Sequence, residues 1–231
     1  MVVEHRTDEE AAMSRKVVRL TLDHLEALQA PCRSCVFWEL DPVRRKRAED
    51  AGSTAAEKDA WVSEVLREWG SCGRVVLVDD VPVGFVIYAP EPYVPGAGGF
   101  PTAPVSPDAV LMTTAYVAPE HRGGGLGRML VQGMARDLVT RGGFGAVEAF
   151  GDARGHTGHC VVPADFLGSV GFKTHRAHPT HPRMRMELRT TVSWRGEVEA
   201  ALERLVHAVR PAPKTARGPA PRSTRASRGA R

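Results

Sequence analysis

The sequence has few cysteines and no long apolar segment, and each absence excludes a class of protein. No apolar run approaches the roughly 18 residues that a membrane-spanning helix requires. Four cysteines in 231 residues do not make the disulfide framework of a small secreted domain. Residues 1–14 are polar and acidic, unlike a secretory signal. We therefore expect a cytoplasmic protein that makes no membrane contact, with a core built from the 42% of residues that are hydrophobic.

Acidic residues are absent from segment 211–231, and this absence explains the basic charge of the chain. The net charge is +4, with 31 basic and 27 acidic residues. Without the segment, 25 basic residues face 27 acidic ones. Its composition predicts a disordered basic tail, with weak contact to a polyanion as the alternative. It has no aromatic residue on which a base could stack. Its six basic residues are Lys214, Arg217, Arg222, Arg225, Arg228 and Arg231.

Glycines are concentrated in one loop, 122–127, between a strand-like run at 110–117 and a helical run at 126–140. The first N–H groups of a helix lack partners within the helix, and the helix dipole makes that end partly positive. Glycines let the backbone approach a bound anion closely. Arg122 and Arg128 add positive charge at the same place. The loop therefore predicts a ligand that carries phosphate.

The spacing of the loop excludes two familiar phosphate-binding motifs. A Walker loop ends in Gly-Lys-Ser/Thr, whereas this loop continues Gly127-Arg128-Met129. The dinucleotide fingerprint requires Gly-x-Gly-x-x-Gly, and Arg128 stands where its third glycine belongs. The remaining pattern, Arg122-x-x-Gly125-x-Gly127 after a strand and the Pro-containing turn 118–121, resembles the acetyl-CoA motif of the GCN5-related N-acetyltransferase (GNAT) superfamily. Segment 166–172, Phe-Leu-Gly-Ser-Val-Gly-Phe, is similar to the Phe-Tyr-x-x-x-Gly-Phe segment of that family.

The resemblance implies an α/β (α+β) acetyltransferase fold, with a central mixed, mostly antiparallel sheet flanked by helices. It divides the chain into a flexible N-terminus at 1–14, an acetyl-CoA-binding domain at 15–190, a C-terminal helix at 191–210 and the disordered tail. The absence of hydrophobic periodicity predicts a long loop at 90–108, whereas periodicity elsewhere predicts strands and helices. The predicted strands lie at 16–21, 74–78, 81–89, 110–117, 146–150, 173–178 and 184–188. The predicted helices lie at 24–29, 42–51, 54–69, 126–140, 163–170 and 192–209.

The same resemblance implies an acyltransferase that uses acetyl-CoA as co-substrate. The acetyl group would pass by direct attack to a primary amine of an unidentified small-molecule or protein acceptor. In this fold the first loop commonly borders the acceptor, which here indicates Trp38 and Glu39. The alternatives are a CoA-binding module without catalysis and, through the tail, a nucleic-acid-associated protein. The residues expected to bind the cofactor are Tyr116, Val117, Ala118, Arg122, Gly123, Gly124, Gly125, Leu126, Gly127 and Arg128.

The residues that would move protons depart from the family pattern. Many members carry a tyrosine that protonates the departing thiolate, but Leu167 occupies that position, and Cys160 stands where an asparagine is common. An acid within an apolar strand makes Glu148 a candidate base, although an outward-facing strand residue would give the same pattern. Glu39, in the loop that holds Trp38, is the alternative base. Cys160 is a candidate donor or nucleophile, or else a small buried cap residue.

A zinc site is a further hypothesis, because Cys32-x-x-Cys35 has the spacing of zinc ligands and Cys72 and Cys160 would complete four sulfurs. There is no second Cys-x-x-Cys pair. We therefore expect no metal and a packing role for the loop that holds Phe37 and Trp38. The sequence carries no indication of an oligomeric state.

Overall fold

The described residues form the mixed sheet flanked by helices that the resemblance implied. The structure is a computed structural model and describes residues 13–28, 31–155 and 160–188. All of them fall in one compact unit. The expected C-terminal helix at 192–209, the basic tail and residues 1–12 of the expected N-terminal segment lie outside the described residues. None of the helices in the described part has the length and apolarity to cross a membrane.

The sheet has the order β1-β2-β3-β4-β5-β8-β7, and β6 pairs with β5 beside this path. Only the β4–β5 and β5–β6 pairs are parallel among the strands described. The long connection required by parallel pairing is the helix between β4 and β5. The strands are β1 (Arg15–Arg19), β2 (Gly73–Val78), β3 (Val81–Ala89), β4 (Ala109–Val117), β5 (Ala146–Asp152), β6 (Val162–Pro163), β7 (Lys173–Arg176) and β8 (Arg183–Glu187).

The helices begin and end at the residues that their local sequences favour. Asp41 caps the second helix by accepting two backbone N–H bonds, at 2.8 and 3.0 Å, and a proline follows it. The fourth helix begins after the left-handed Gly125 and ends at Gly142. The helices are α1 (Leu22–Ala27), α2 (Pro42–Asp50), α3 (Thr54–Glu68), α4 (Leu126–Arg141) and α5 (Ala164–Ser169).

Alternate residues of the central strands build a separate core on each face of the sheet. On one face, Leu111 and Phe85 pack with residues of α1 and α3 and with the loop that holds Trp38. On the other face, Val110 and Met112 pack with the apolar sides of α4 and α5. The strands are therefore covered on both faces, which explains their nearly continuous apolar sequences.

Segment 90–108, predicted as a long loop, is part of the first core. It contains short 3-10 helices at Glu91–Tyr93 and Pro95–Gly99. Its Phe100 stacks on Trp38, with ring centroids 4.9 Å apart, and on Phe150, at 4.3 Å, and the centroids of these two rings lie 6.1 Å from each other. Burial of these rings fixes the segment over the sheet, although it has no hydrophobic periodicity.

The predicted boundaries differ from the structure at a few ends. The first helix was predicted at 24–29, but it begins two residues earlier, at Leu22, with Thr21 at its N-cap position. Strand β5 continues two residues past Phe150, because β6 gives its end a partner. The short β6 itself was not predicted, since two residues have no periodicity to read.

Replacing Phe100 with alanine should lower the free energy of unfolding by about 3–5 kcal/mol, because it removes one ring of this three-ring cluster and leaves a cavity. Urea denaturation would measure the change. The matched control is Val139→Ala, whose side chain is 40% exposed on α4 and should cost no more than about 0.5 kcal/mol. Equal stabilities for the two variants would contradict the packing of segment 90–108 into the core.

Candidate active site

Strands β4 and β5 separate after a short parallel pairing. Their register runs from Ala109↔Ala146 to Leu111↔Glu148 and stops there within the described residues. Just beyond this point β4 contains a bulge, because Ile87 of β3 pairs with Thr114 and Tyr88 pairs with Met112, leaving Thr113 as the extra residue. A bulge bends and twists its strand. The second half of β4 therefore diverges from β5 and leaves an open edge.

The open edge presents backbone groups at alternate residues. Ala118 donates its N–H to the carbonyl of Val83, at 2.8 Å, so its backbone faces β3. Because hydrogen bonds alternate along an antiparallel pair, Tyr116 also faces β3, while Ala115 and Val117 face the open edge. The carbonyl of Val117 accepts a bond from Arg122 Nε at 2.9 Å, which agrees with this direction.

The glycine loop directs the start of α4 towards the same edge. Gly123 and Gly125 both have φ of +81°, in the left-handed region that strains other residues. Gly127 lies against α5, where an added Cβ would come within 2.8 Å of the Phe166 ring. These glycines let the loop turn tightly and let the two helices approach closely. The unpaired N–H groups of the first turn of α4 therefore open onto the divergent strands.

A cleft of about 530 Å³ lies between β4, the start of α4 and α5. Eight of the ten residues predicted to bind a cofactor line it; the other two, Ala118 and Gly124, do not. Exposed Arg122 and Arg128 lie at the cleft, and Arg128 donates to the carbonyl of Ser169 at 2.6 Å. The lining residues are Ala115, Tyr116, Val117, His121, Arg122, Gly123, Gly125, Leu126, Gly127, Arg128, Leu130, Val162, Pro163, Phe166, Ser169 and Val170.

Comparison with known proteins agrees with this geometry. The model of the acetyltransferase (GNAT) family matches residues 26–159, more than half of the chain. The chain belongs to the GNAT acetyltransferase family. No curated protein matches the chain significantly.

Solved structures show the same fold. The PaiA N-acetyltransferase from Thermoplasma acidophilum, crystallised in complex with coenzyme A, has a TM-score of 0.50 and 13% identity, over 76% of this chain and 99% of that chain. A crystal structure of another acetyltransferase has a TM-score of 0.52 and 16% identity, over 75% of this chain and 99% of that chain. These structural matches show a shared fold, and at sequence identities this low they carry no information on substrates.

Several lining residues were not predicted from the sequence. His121 precedes the arginine of the motif, while Val162, Pro163 and Phe166 form a wall of the cleft beside the start of α4. Phe166 belongs to the second segment that resembles the family, so its place beside Gly127 could have been anticipated. Val162 and Pro163 had no such signal, because the two-residue β6 that holds them is recognisable only from its pairing with β5.

Glu148, the candidate base, is buried within a group of basic side chains. Its two oxygens lie 3.4 Å from Arg183 Nη1 and 3.2 Å from Arg185 Nη1, and one accepts the Ser106 N–H at 3.1 Å. Burial opposes ionisation, but the hydrogen bonds from Ser106 and Arg185 and the positive charge of Arg183 outweigh it and lower the pKa of Glu148. A well-stabilised carboxylate is a weak proton acceptor, so these contacts favour a structural role over the predicted one.

The two residues predicted to border the acceptor are both buried and have internal partners. Trp38 donates its indole N–H to the carbonyl of Cys160 at 2.8 Å. Glu39 forms an ion pair with Lys58, and each side chain is 1% exposed. Lys58 also donates to the carbonyl of Cys35 at 3.1 Å. These contacts hold the loop in place, and direct contact with an acceptor stays a prediction for Trp38 and Glu39.

The two positions that depart from the family pattern have different surroundings. Leu167 is fully buried in the second core and has no group that could donate a proton. Cys160 is half-buried, with its sulfur 2.9 Å from that of Cys35. A role for Cys160 in acetyl transfer stays a prediction. No cluster suited to a metal ion occurs among the residues that the structure describes, and Cys72 is buried among apolar side chains.

Replacing Glu148 with glutamine should destabilise the fold by about 3–5 kcal/mol, because it leaves Arg183 and Arg185 without their buried counter-charge. Because its pKa is lowered, ionised Glu148 stabilises the fold at pH values above its ordinary pKa of 4.5, and this contribution is lost as the pH falls below that value. The free energy of unfolding, measured as a function of pH, should therefore fall more steeply on acidification in the wild type than in the variant.

Glu187→Gln is the matched control, because Glu187 binds the same Arg185, at 2.6 Å, but is exposed. A surface ion pair contributes about 0–1 kcal/mol. Similar losses of stability in the two variants would contradict the structural role assigned to Glu148.

Proposed function

We propose that this GNAT protein transfers an acetyl group from acetyl-CoA to a primary amine of a small-molecule or protein acceptor. The cleft between the open edge of β4 and the start of α4 is the site proposed for acetyl-CoA. The observation that carries the proposal is the meeting of these two features, because each supplies what one part of the cofactor requires.

The start of α4 suits the pyrophosphate. Unpaired N–H groups and the positive end of the helix dipole favour an anion there, and the loop has no side chains to keep the anion away at Gly123 and Gly125. Arg122 and Arg128 would add charge-assisted hydrogen bonds to phosphate oxygens. Both guanidinium groups are exposed and now bind backbone carbonyls, which a phosphate would replace.

The open edge of β4 suits the pantetheine arm, whose amides can pair with a strand. The backbone groups of Ala115 and Val117 face that edge, and Val162, Pro163 and Phe166 offer apolar contacts across the cleft. A backbone N–H of the same edge would then stabilise the negative charge that develops on the thioester oxygen.

Transfer by direct attack requires the amine nitrogen to attack the carbonyl carbon while the C–S bond breaks. The amine loses a proton, and the thiolate of CoA gains one. Leu167 cannot supply that proton. Glu148 and Cys160 remain the candidates for proton transfer. The ion pairs of Glu148 make it a weak base and so argue against its acceptance of the amine proton. Without an assigned donor, a CoA-binding module that performs no transfer is the second candidate function.

Replacing Arg122 with alanine should weaken the binding of CoA roughly tenfold or more, because a hydrogen bond to a charged group contributes about 1.5–3 kcal/mol. Isothermal titration calorimetry would measure the dissociation constant. Arg136→Ala is the matched control, since Arg136 is exposed on the same helix outside the cleft and donates to the carbonyl of Gln132. An equal effect of both substitutions would contradict the placement of the phosphates.

The reaction itself is tested by incubating the protein with acetyl-CoA and a panel of primary amines while free CoA thiol is measured. Release of CoA that depends on the amine, with a matching increase in the mass of the amine, is the expected result. Tight binding without release across the panel would favour the CoA-binding module. The absence of both binding and release would contradict each function.

A further inference from the structure

Three of the four cysteines lie together, although they are distant in the sequence. The sulfur of Cys160 lies 2.9 Å from that of Cys35, and Cys160 is close enough to Cys32 to lower the pKa of its thiol. All three are half-buried rather than enclosed. Thiols that only fill a core need not meet, whereas here a sulfur–sulfur contact joins two residues that are 125 positions apart.

The members of this thiol cluster (Cys32, Cys35 and Cys160) differ in how readily they ionise. Interaction with Cys160, together with burial, raises the pKa of Cys35. Interaction with Cys32, together with burial, raises the pKa of Cys160 to about 11. Interaction with Cys160 lowers the pKa of Cys32, so Cys32 is the thiol that most readily becomes a thiolate.

The backbone around the cluster holds the sulfurs in place. The carbonyl of Cys160 accepts the indole N–H of Trp38, and the carbonyl of Cys35 accepts the ammonium of Lys58. Each bond joins the cluster to a buried side chain, so two loops that contribute thiols are fixed against each other. A covalent bond between the contacting sulfurs therefore requires only a small approach.

We propose that the thiol cluster is a site of reversible oxidation, in which a peroxide converts Cys35 and Cys160 into a disulfide. Cys32 thiolate attacks the peroxide, breaks its O–O bond and becomes a sulfenic acid as hydroxide leaves and takes the proton of the Cys35 thiol to form water. The Cys160 thiol displaces the sulfenic oxygen as a second water. The Cys35 thiolate left by the proton transfer to hydroxide then attacks the sulfur of Cys160 and releases Cys32 as a thiolate. Overall, two thiols are oxidised and one peroxide is reduced to two waters.

The test treats the reduced full-length protein with hydrogen peroxide, blocks the remaining thiols and digests it with trypsin without reduction. Trypsin cleaves after Arg33, so that each cysteine falls in a separate peptide and the partners can be identified by mass spectrometry. The expected product joins peptide 34–44 to peptide 155–173 with the loss of two hydrogen atoms, and a thiol reductant reverses it. Cys160→Ser should abolish this product.

Cys72→Ala is the matched control, because Cys72 is enclosed in the first core and burial raises its pKa to about 12. This variant should form the same cross-linked peptide as the wild type. Three results would overturn the proposal: all four thiols remaining free after treatment, a disulfide that omits Cys35 or Cys160, or bound zinc at one ion per chain that protects the three thiols from peroxide. The wild-type peptide map decides the matter even where a variant fails to fold.

Discussion

The separation of β4 from β5 is the feature on which the rest of the site depends. Parallel strands that stayed paired along their length would satisfy each other's backbone groups and leave no edge for a ligand. The pairing instead ends at Leu111↔Glu148, and the bulge at Thr113 turns the rest of β4 away. The same divergence admits the start of α4, with its glycine loop, to the gap. One irregular residue in a strand thus creates both the open edge and the space beside a helix end.

A divided sheet needs another means of holding its two halves together, and buried charge provides it here. Glu148 stands at the last paired position, and its carboxylate binds Arg183 and Arg185 of β8 as well as the N–H of Ser106. Removing one partner from such a group leaves an uncompensated charge in the interior. Segment 90–108 reinforces the same region, since Phe100 stacks on both Phe150 of β5 and Trp38. Strand β5, which lacks β4 as a neighbour beyond Glu148, is therefore held by β8 along its other edge and by the stacked rings on one of its faces.

The sequence predicts what local spacing determines and fails where distant residues meet. The glycine loop and nearly all strands and helices follow from neighbours in the sequence, and the motif identifies the family. From the sequence, Glu148 looks like a base because it is an acid in an apolar strand. Its ion pairs with Arg183 and Arg185 could not be foreseen, since they depend on the pairing of β8 with β5. Glu39 similarly lies in a turn and has its partner, Lys58, on helix α3, 19 residues further along the chain. The extra residue in β4 has no sequence signal, since a bulge is defined only by the register of two strands.

The thiol cluster and the cleft are connected by a very short segment. Cys160 contacts Cys35 and Trp38, while Val162 and Pro163, only two and three residues later, form part of the cleft wall. Strand β6 gives these two residues little support of its own, because it pairs with β5 over two positions. The position of the wall therefore depends on what holds Cys160. A disulfide to Cys35 would replace a weak contact by a covalent bond at this point, and it would restrict the wall without occupying the space in which the cofactor is proposed to bind.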